Sequence, residues 1–378
     1  MLYFCMSEQL RKPMNMTKYH RRGDATQAVR RTLALAGLLL WMHWGGLTGD
    51  RVMAQERRGE RLKVGLVLGG GGAKGAAHIG ALKIIEKSGI PIDYIAGTSI
   101  GSIVGGLYAC GYRADDMIEV FKKQDWLGLL TDRDAKRQHT LLSEDDDGVV
   151  YILGFPVSRK GTSKANPSRG AFRGDRIQDL LDSMIVRKVP AACDQKFDFS
   201  QLPIPFKCVA FDTKNRQEYV FNEGRLSTAM RASMAIPMAY KAVTVDGMEL
   251  ADGGMVNNLP VDVVRAMGAD VVIAIDLSQH KHGEEDDCFR VFDNDSYLGL
   301  FDGIDIDGLL GWVLTRPDLD KYHENCKHCD VYINPDLDGY TAAHFRGKDI
   351  KDMVIRGYKA AKKQRKALKK LKKRINSL

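Results

Sequence analysis

KVGLVLGGGGAKG, residues 63–75, opens as a short apolar run and closes in a chain of glycines. Lys63 to Leu68 is brief, apolar and bounded by glycine, the profile of a strand buried in a parallel sheet. Ala76 to Lys87 then places Ala77, Leu82, Ile84 and Ile85 at apolar positions of a helix. Ser88-Gly89 closes that helix and Pro91 follows. Asp93-Tyr94-Ile95-Ala96 is a second strand. Ile100 to Ala109 is a second helix, rich in glycine and ended by Gly111. Strand–helix–strand–helix at this spacing predicts right-handed crossovers and a layered α/β fold.

Further on, residues 121–175 are less regular. They hold an acidic run, Glu144-Asp145-Asp146-Asp147, and a polar stretch from Gly161 to Gly170. A cap over a site and a plain surface excursion both fit that composition. The pattern predicts a helix over Arg176–Ile185, a strand over Phe206–Ala210 and a helix over Leu226–Met234. Tyr240–Val245 and Met248–Leu250 flank Asp246-Gly247, a two-residue hairpin signal. A helix is expected over Val261–Met267, capped by Gly268, then a buried strand over Val271–Asp276, and a helical pattern from Lys348 to Arg374. No internal repeat and no clean linker interrupts the chain, so one mature domain is expected.

The formal net charge of +8 is unevenly spread. Residues 1–54 hold 8 Lys/Arg and 3 Asp/Glu, and residues 359–378 hold 10 bases and no acid. The body between them carries 38 bases against 45 acids. That body lacks the basic stripe a nucleic-acid protein needs. The tail is either a solvated helix or a surface for anionic lipid headgroups, with Leu368, Leu371 and Ile375 at helical spacing for an apolar stripe. At the other end, Arg21, Arg22, Arg30 and Arg31 precede an apolar run from Leu33 to Trp44. Val52-Met53-Ala54 then stands before Gln55. This reads as an export signal cleaved near Ala54, with Met14 or Met16 as alternative starts, and it predicts a periplasmic or cell-envelope location. The expected division is thus residues 1–54 as signal peptide and upstream extension, 55–358 as the folded domain, and 359–378 as a basic helical tail. Among seven cysteines, Cys326-x-x-Cys329 with His323 and His328 resembles half a zinc site that lacks its second pair, or a short-loop disulfide. Nothing in the sequence calls for a metal or a cofactor.

The chemistry concentrates in two places. Gly97-Thr98-Ser99-Ile100-Gly101 is a Gly-x-Ser-x-Gly elbow. Such a turn holds a serine hydroxyl at the end of a strand, and Gly97 and Gly101 remove side chains where strand and helix crowd. Gly70, Gly71 and Gly72 can point backbone N–H groups at an anion. A nucleophile beside an oxyanion cradle is what acyl transfer requires. Phosphate binding is the competing reading of the glycines. A P-loop needs Gly-Lys-Ser/Thr, whereas Lys74 precedes Gly75 and Ala76. A dinucleotide loop needs an acid closing the second strand, which here ends in Ala96-Gly97. For the base, an α/β-hydrolase order of Ser99, Asp252 and then His280 or His344 is one reading. The other takes Asp252 alone, flanked by Gly253 and Gly254, with its pKa raised by burial. A binding protein with a fossil site is a third. His78, one turn past Lys74, reads as packing or hydrogen bonding.

The chain resembles bacterial members of the patatin-like phospholipase family. The matching pieces are Gly70 to Gly75 with His78 and Gly80, the Ser99 elbow, Arg231-Ala232-Ser233 with Ile236-Pro237, and Asp252-Gly253-Gly254 with Asn257-Asn258-Leu259-Pro260. Tyr340 to Tyr358 looks like the family's last segment, so the likeness runs from about Leu62 to Tyr358. It implies a three-layer α/β/α sandwich on a mainly parallel sheet that hydrolyses acyl esters of lipids or phospholipids. Carried across, Ser99 is the nucleophile, Asp252 the base, and the Gly70–Gly72 backbone the oxyanion hole. Lys74 takes the place of a basic residue, often Arg, in the family's glycine motif. Arg231 and Asn258 are expected to brace the Asp252 loop.

Overall fold

The strand β1 (Val64–Leu68) is buried at every residue. Val64, Leu66 and Leu68 enter one apolar cluster and Val67 enters another, so alternate side chains feed two cores. That is the signature of a sheet covered on both faces. In the computed structural model the described residues are 61–130, 132, 142–144, 150–152, 155–157, 172–237, 239–278, 319–342 and 344–377. The expected export signal with its expected cleavage point, the alternative starts, most of the acidic and polar excursion, and His280 lie outside them. Arg61–Leu378 forms one compact unit.

Parallel to β1 run β2 (Tyr94–Thr98) on one side and, on the other, a late strand described below. Three short strands, β3 (Leu142–Glu144), β4 (Val150–Ile152) and β5 (Phe155–Val157), make a separate antiparallel sheet. The main sheet continues with β6 (Phe206–Asp212), β7 (Gln217–Phe221), β8 (Val243–Val245), β9 (Met248–Asp252), β10 (Val271–Ile275) and β11 (Val331–Ile333). Its order is β11-β10-β1-β2-β6-β9-β8, with β7 paired to β6. The first five of these are mutually parallel, while β7 and β9 pair antiparallel with β6 and β8 pairs antiparallel with β9. Asp246 and Gly247 both take positive φ in the β8–β9 turn, as the hairpin signal requires.

Ten helices accompany these strands among the described residues: α1 (Ala76–Ser88), α2 (Ile100–Ala109), α3 (Ala114–Lys123), α4 (Trp126–Leu130), α5 (Asp175–Lys188), α6 (Leu226–Ser233), α7 (Val261–Ala266), α8 (Leu319–Lys327), α9 (Gly347–Lys363) and α10 (Arg365–Ile375). α1, α2, α6 and α9 pack into the larger cluster on one face. α7 and Tyr322 of α8 pack into the other. The three-layer α/β/α expectation is met. α9 crosses α1 closely, with Gly80 against the Val354 carbonyl and Gly357 against that of Ala77.

The basic tail differs from its expected form. The boundary at residue 358 falls inside α9, and Leu368, Leu371 and Ile375 are buried in the main core, with α10 packed on α1. The stripe that periodicity offered to a membrane is covered by the protein itself. Lys372 donates to the Ser88 carbonyl and Arg374 pairs with Asp330 at 2.7 Å. Ser88 and Asp330 precede β2 and β11 and so lie towards the N-terminal ends of the parallel strands, whereas Ser99 follows the C-terminal end of β2. No helix among the described residues is long and apolar enough to cross a membrane.

Candidate active site

The site forms where β1 and β2 end. Beyond β1 the chain cannot continue as strand, because Gly69 and Gly70 are drawn sideways. The Gly69 N–H donates to the Ile275 carbonyl and the Gly70 N–H to that of Asn258. His78 reaches back from α1 and donates from Nε2 to the Gly69 carbonyl at 2.8 Å. Burial pushes the His78 imidazole down to about 4, so it is neutral at pH 7. The loop then turns through Gly71 and Gly72, the latter at φ 55, into a 3-10 turn from Gly72 to Gly75. A side chain on Gly72 would run into Ala342. Lys74 is buried in this turn and its N–H donates to the Gly71 carbonyl. Of the three expected oxyanion donors, Gly70 is therefore already engaged. The N–H groups of Gly71 and Gly72 donate to no described residue.

Beyond β2 the chain makes the elbow. Ser99 sits at φ 54 and ψ −126, a conformation that costs about 1–3 kcal/mol and persists only where surroundings enforce it. Enforcement is visible atom by atom. The Ser99 N–H donates to Ser233 Oγ at 2.9 Å, and Ser233 Oγ donates onward to the Val209 carbonyl at 2.6 Å. The Ser99 carbonyl accepts from Ser102 Oγ. Thr98 Oγ1 donates to the Asn257 carbonyl. Gly101 lies against the Leu68 carbonyl and Gly97 against Gly101 itself, so neither can carry a side chain.

Asp252 arrives from β9, whose end is opposite Ala210 of β6 and level with the end of β2. Its backbone N–H donates to the Ala235 carbonyl. Gly253 lies against the Val209 carbonyl, and the Gly254 N–H donates to Asp252 Oδ1 at 2.7 Å. The other carboxylate oxygen, Oδ2, accepts from Ser99 Oγ at 2.6 Å. Ser99 is 5 % exposed and Asp252 6 %. Burial pushes the Asp252 carboxyl up to about 6, against the hydrogen bonds from Ser99 and Gly254 that favour its charged form.

The expected residues therefore converge, with Gly70 the exception among the donors. No described histidine hydrogen-bonds Ser99 or Asp252. His344 accepts from the Thr341 N–H instead. Arg231 braces the Arg173 and Lys241 carbonyls, not the Asp252 loop. Asn258 does bridge, since its carbonyl holds Gly70 and its side chain approaches Gly254. Cys326 and Cys329 are not joined in a disulfide. No described cluster of three His, Cys, Asp or Glu is arranged to hold a metal ion. Sequence reading gave Ser233 no task. The signal was there in its motif, but nothing along the chain pairs a helix-end serine with an elbow 134 residues away.

The chain is similar to several known proteins. The family described as "Patatin-like phospholipase" matches residues 66–265. An uncharacterized NTE family protein of Mycobacterium tuberculosis is 33% identical over 226 residues, 60% of this chain and 52% of that protein. A lysophospholipase of Aspergillus fumigatus is 30% identical over 300 residues, 75% of this chain and 17% of that protein. The chain thus spans about half of the mycobacterial relative and less of the fungal one. Among solved structures, that of VipD from Legionella pneumophila overlays with a TM-score of 0.49 at 15% identity, covering 81% of this chain and 67% of that one.

Proposed function

This chain belongs to the patatin-like phospholipase family, and from that premise we propose that it hydrolyses fatty-acyl esters of lipids or phospholipids with Ser99 as nucleophile and Asp252 as base. The observation that carries the reading is the 2.6 Å hydrogen bond from Ser99 Oγ to Asp252 Oδ2, at a strained, buried turn. An alcohol is a weak nucleophile until a base takes its proton. A carboxyl poised near 6 is ionised at neutral pH yet basic enough to serve. Ser99 Oγ attacks the acyl carbonyl carbon while its proton passes to Asp252. The carbonyl oxygen becomes an oxyanion, and the unengaged N–H groups of Gly71 and Gly72 are the donors we assign to it. Collapse expels the alcohol portion of the lipid, which takes the proton from Asp252. Water then attacks the acyl-enzyme, with Asp252 again as base, and releases the fatty acid. His78 acts on this only by holding Gly69.

An exported location, with cleavage after Ala54, is proposed from the sequence. Contact with anionic headgroups through α10 is proposed on electrostatic grounds alone, since its apolar side is buried. Lys366, Lys369, Lys370 and Lys373 stand exposed on it and make no ion pair with a described residue.

The deciding test is a fluorophosphonate probe together with a panel of lipid esters, run on the full chain and on Ser99→Ala. The reading expects label on Ser99 and hydrolysis that vanishes in the variant. A wild-type chain that neither labels nor hydrolyses any ester would sink it.

A further inference from the structure

The loop that leaves Asp252 ends on two asparagines, and their backbone carbonyls hold the other two parts of the site. The Asn257 carbonyl accepts from Thr98 Oγ1 at 2.8 Å, one residue before Ser99. The Asn258 carbonyl accepts from the Gly70 N–H in the glycine loop. One dipeptide thus ties the Asp252 loop to both the elbow and the oxyanion loop. Its own place is fixed by the side chain of Asn257, which is 2 % exposed.

That side chain joins a buried polar knot. Asn257 Nδ2 donates to Glu218 Oε1 on β7 at 3.0 Å and to Asp262 Oδ1 on α7 at 2.9 Å. Asn257 Oδ1 accepts from Asn325 Nδ2 on α8 at 3.1 Å. Asn325 is 4 % exposed. Its Nδ2 also donates to Asp262 Oδ1 at 3.2 Å, and its Oδ1 accepts from the Asp262 N–H at 3.0 Å. Lys321, one turn earlier on α8, pairs with both Glu218 and Asp262. The orientation of each amide is forced, because an ionised carboxylate only accepts and a backbone N–H only donates. Position 325 must do both at once. Asp at that size has no donor, and Leu has neither donor nor acceptor. Truncation would leave Asn257 Oδ1 and the Asp262 N–H short of a partner in the interior.

The knot bears on the chemistry because of what Thr98 carries. Ser99 stands at φ 54, a conformation that persists only where its surroundings enforce it. Ser233 and Ser102 hold the backbone of Ser99 itself, and Asn257 holds the residue before it. Asn325, the α8 end of that link, lies outside residues 66–265, the segment that matches the family.

We propose that Asn325 is a positioning residue: through Asn257 and Thr98 it sets the Ser99 elbow against Asp252. The proposal deepens the hydrolase reading and rests on Ser99 and Asp252 being its nucleophile and base. A nucleophile displaced by about 1 Å loses about 10²-fold in rate, so a small relaxation of the elbow is enough to be measured.

The test measures kcat and KM for a soluble ester, with active sites counted by the fluorophosphonate probe, in wild type, Asn325→Ala and Leu371→Ala. Leu371 is buried on α10 in the cluster on the other face of the sheet, so its variant reports loss of stability alone. Leu371→Ala should melt earlier and keep its kcat. Asn325→Ala should also lose about tenfold in kcat per labelled site, with KM nearly unchanged. Added to Thr98→Val, which cuts the link to Asn257, it should cost much less than it does alone. An unchanged kcat in Asn325→Ala, or the same loss in both backgrounds, makes Asn325 a structural tie and overturns the proposal. Should Asn325→Ala fail to fold, Asn325→Asp replaces it in every arm, since it keeps the volume and the acceptor for the Asp262 N–H but not the donors. Hydrogen exchange supplies an arm that needs no turnover. Amides of residues 97–103 should exchange faster in Asn325→Ala than in Leu371→Ala, and equal exchange overturns the proposal. If wild type neither labels nor hydrolyses any ester, the hydrolase reading fails on its own, and the exchange arm still decides whether α8 holds the elbow.

Discussion

Asp252→Asn should make the protein more stable while disabling it. The carboxyl titrates at about 6 in the fold, against about 3.9 in an unfolded chain. The fold therefore holds the proton more tightly than the unfolded chain does. Stability contributed by this group is fully present below about pH 4 and is lost as pH rises through about 6. A shift of about two units at about 1.4 kcal/mol each amounts to about 3 kcal/mol absent from wild type at pH 8. The amide of the variant carries no charge to desolvate. It retains an oxygen for the Gly254 N–H, and its NH2 can donate to Ser99 Oγ. Urea denaturation from pH 4 to pH 8 reads the difference directly. The variant should exceed wild type by up to about 3 kcal/mol at pH 8, with the gap closing towards pH 4. Over the same window wild-type kcat/KM should rise through about pH 6. The variant should lose about 10²–10⁴-fold at the plateau. A variant no more stable than wild type at pH 8, or a gap that does not shrink on acidification, refutes the desolvation argument. Near-normal turnover refutes the role as base.

Four further outcomes are expected, three from the geometry and the last from the sequence. Gly72→Val places a β-branched side chain at φ 55 against Ala342, so kcat should fall about 10²–10³-fold with KM nearly unchanged; raised KM at constant kcat would contradict an oxyanion role. Ser233→Ala strands the buried Ser99 N–H, and should cost about 1–3 kcal/mol in denaturant titrations and lower kcat as the elbow relaxes; a silent substitution would show that the elbow needs no such support. Changing Lys366, Lys369, Lys370 and Lys373 together to Gln should leave the melting temperature and turnover of a soluble ester intact. Binding to phosphatidylglycerol vesicles should weaken by about 1 kcal/mol per lysine, most clearly at low salt, and equal binding would leave α10 a solvated helix. Mass spectrometry of chain recovered from the cell envelope should find Gln55 at its N-terminus; an intact chain in the soluble cytoplasm would overturn the export reading.

What the sequence disclosed, and what it hid, follows from the range of the interactions. The β1–α1–β2–α2 opening was legible because each element is specified locally, by glycine punctuation and apolar period. Its elements lie within two residues of their expected bounds. Ser99 and Asp252 were legible because their settings restrict backbone conformation, and glycines record such restriction in the sequence itself. Their meeting, 153 residues apart, was legible only through the family likeness. The Gly70 reassignment was out of reach, since nothing local says that its N–H is consumed by a carbonyl 188 residues on.

The tail shows the same limit from the other side. Leu368, Leu371 and Ile375 at helical spacing demand some apolar cover, and periodicity names the need without naming the partner. A membrane and the protein's own α1 satisfy it equally well on paper. Topology decides between them. α9 crosses α1 at Gly80 and Gly357, which delivers the start of α10 to the same helix layer, and intramolecular cover is then available at no entropic cost of association. The basic side is left outward because burying it would strip hydration from seven exposed cations, Lys362, Lys363, Arg365, Lys366, Lys369, Lys370 and Lys373, none of which pairs with a described acid. With α10 pinned to Ser88 and Asp330, that charge lies towards the opposite end of the parallel strands from Ser99. An anionic surface gathered there would meet the chain away from Ser99, so on the proposed reading α10 would raise the local concentration of the chain at a membrane without itself presenting lipid to the nucleophile.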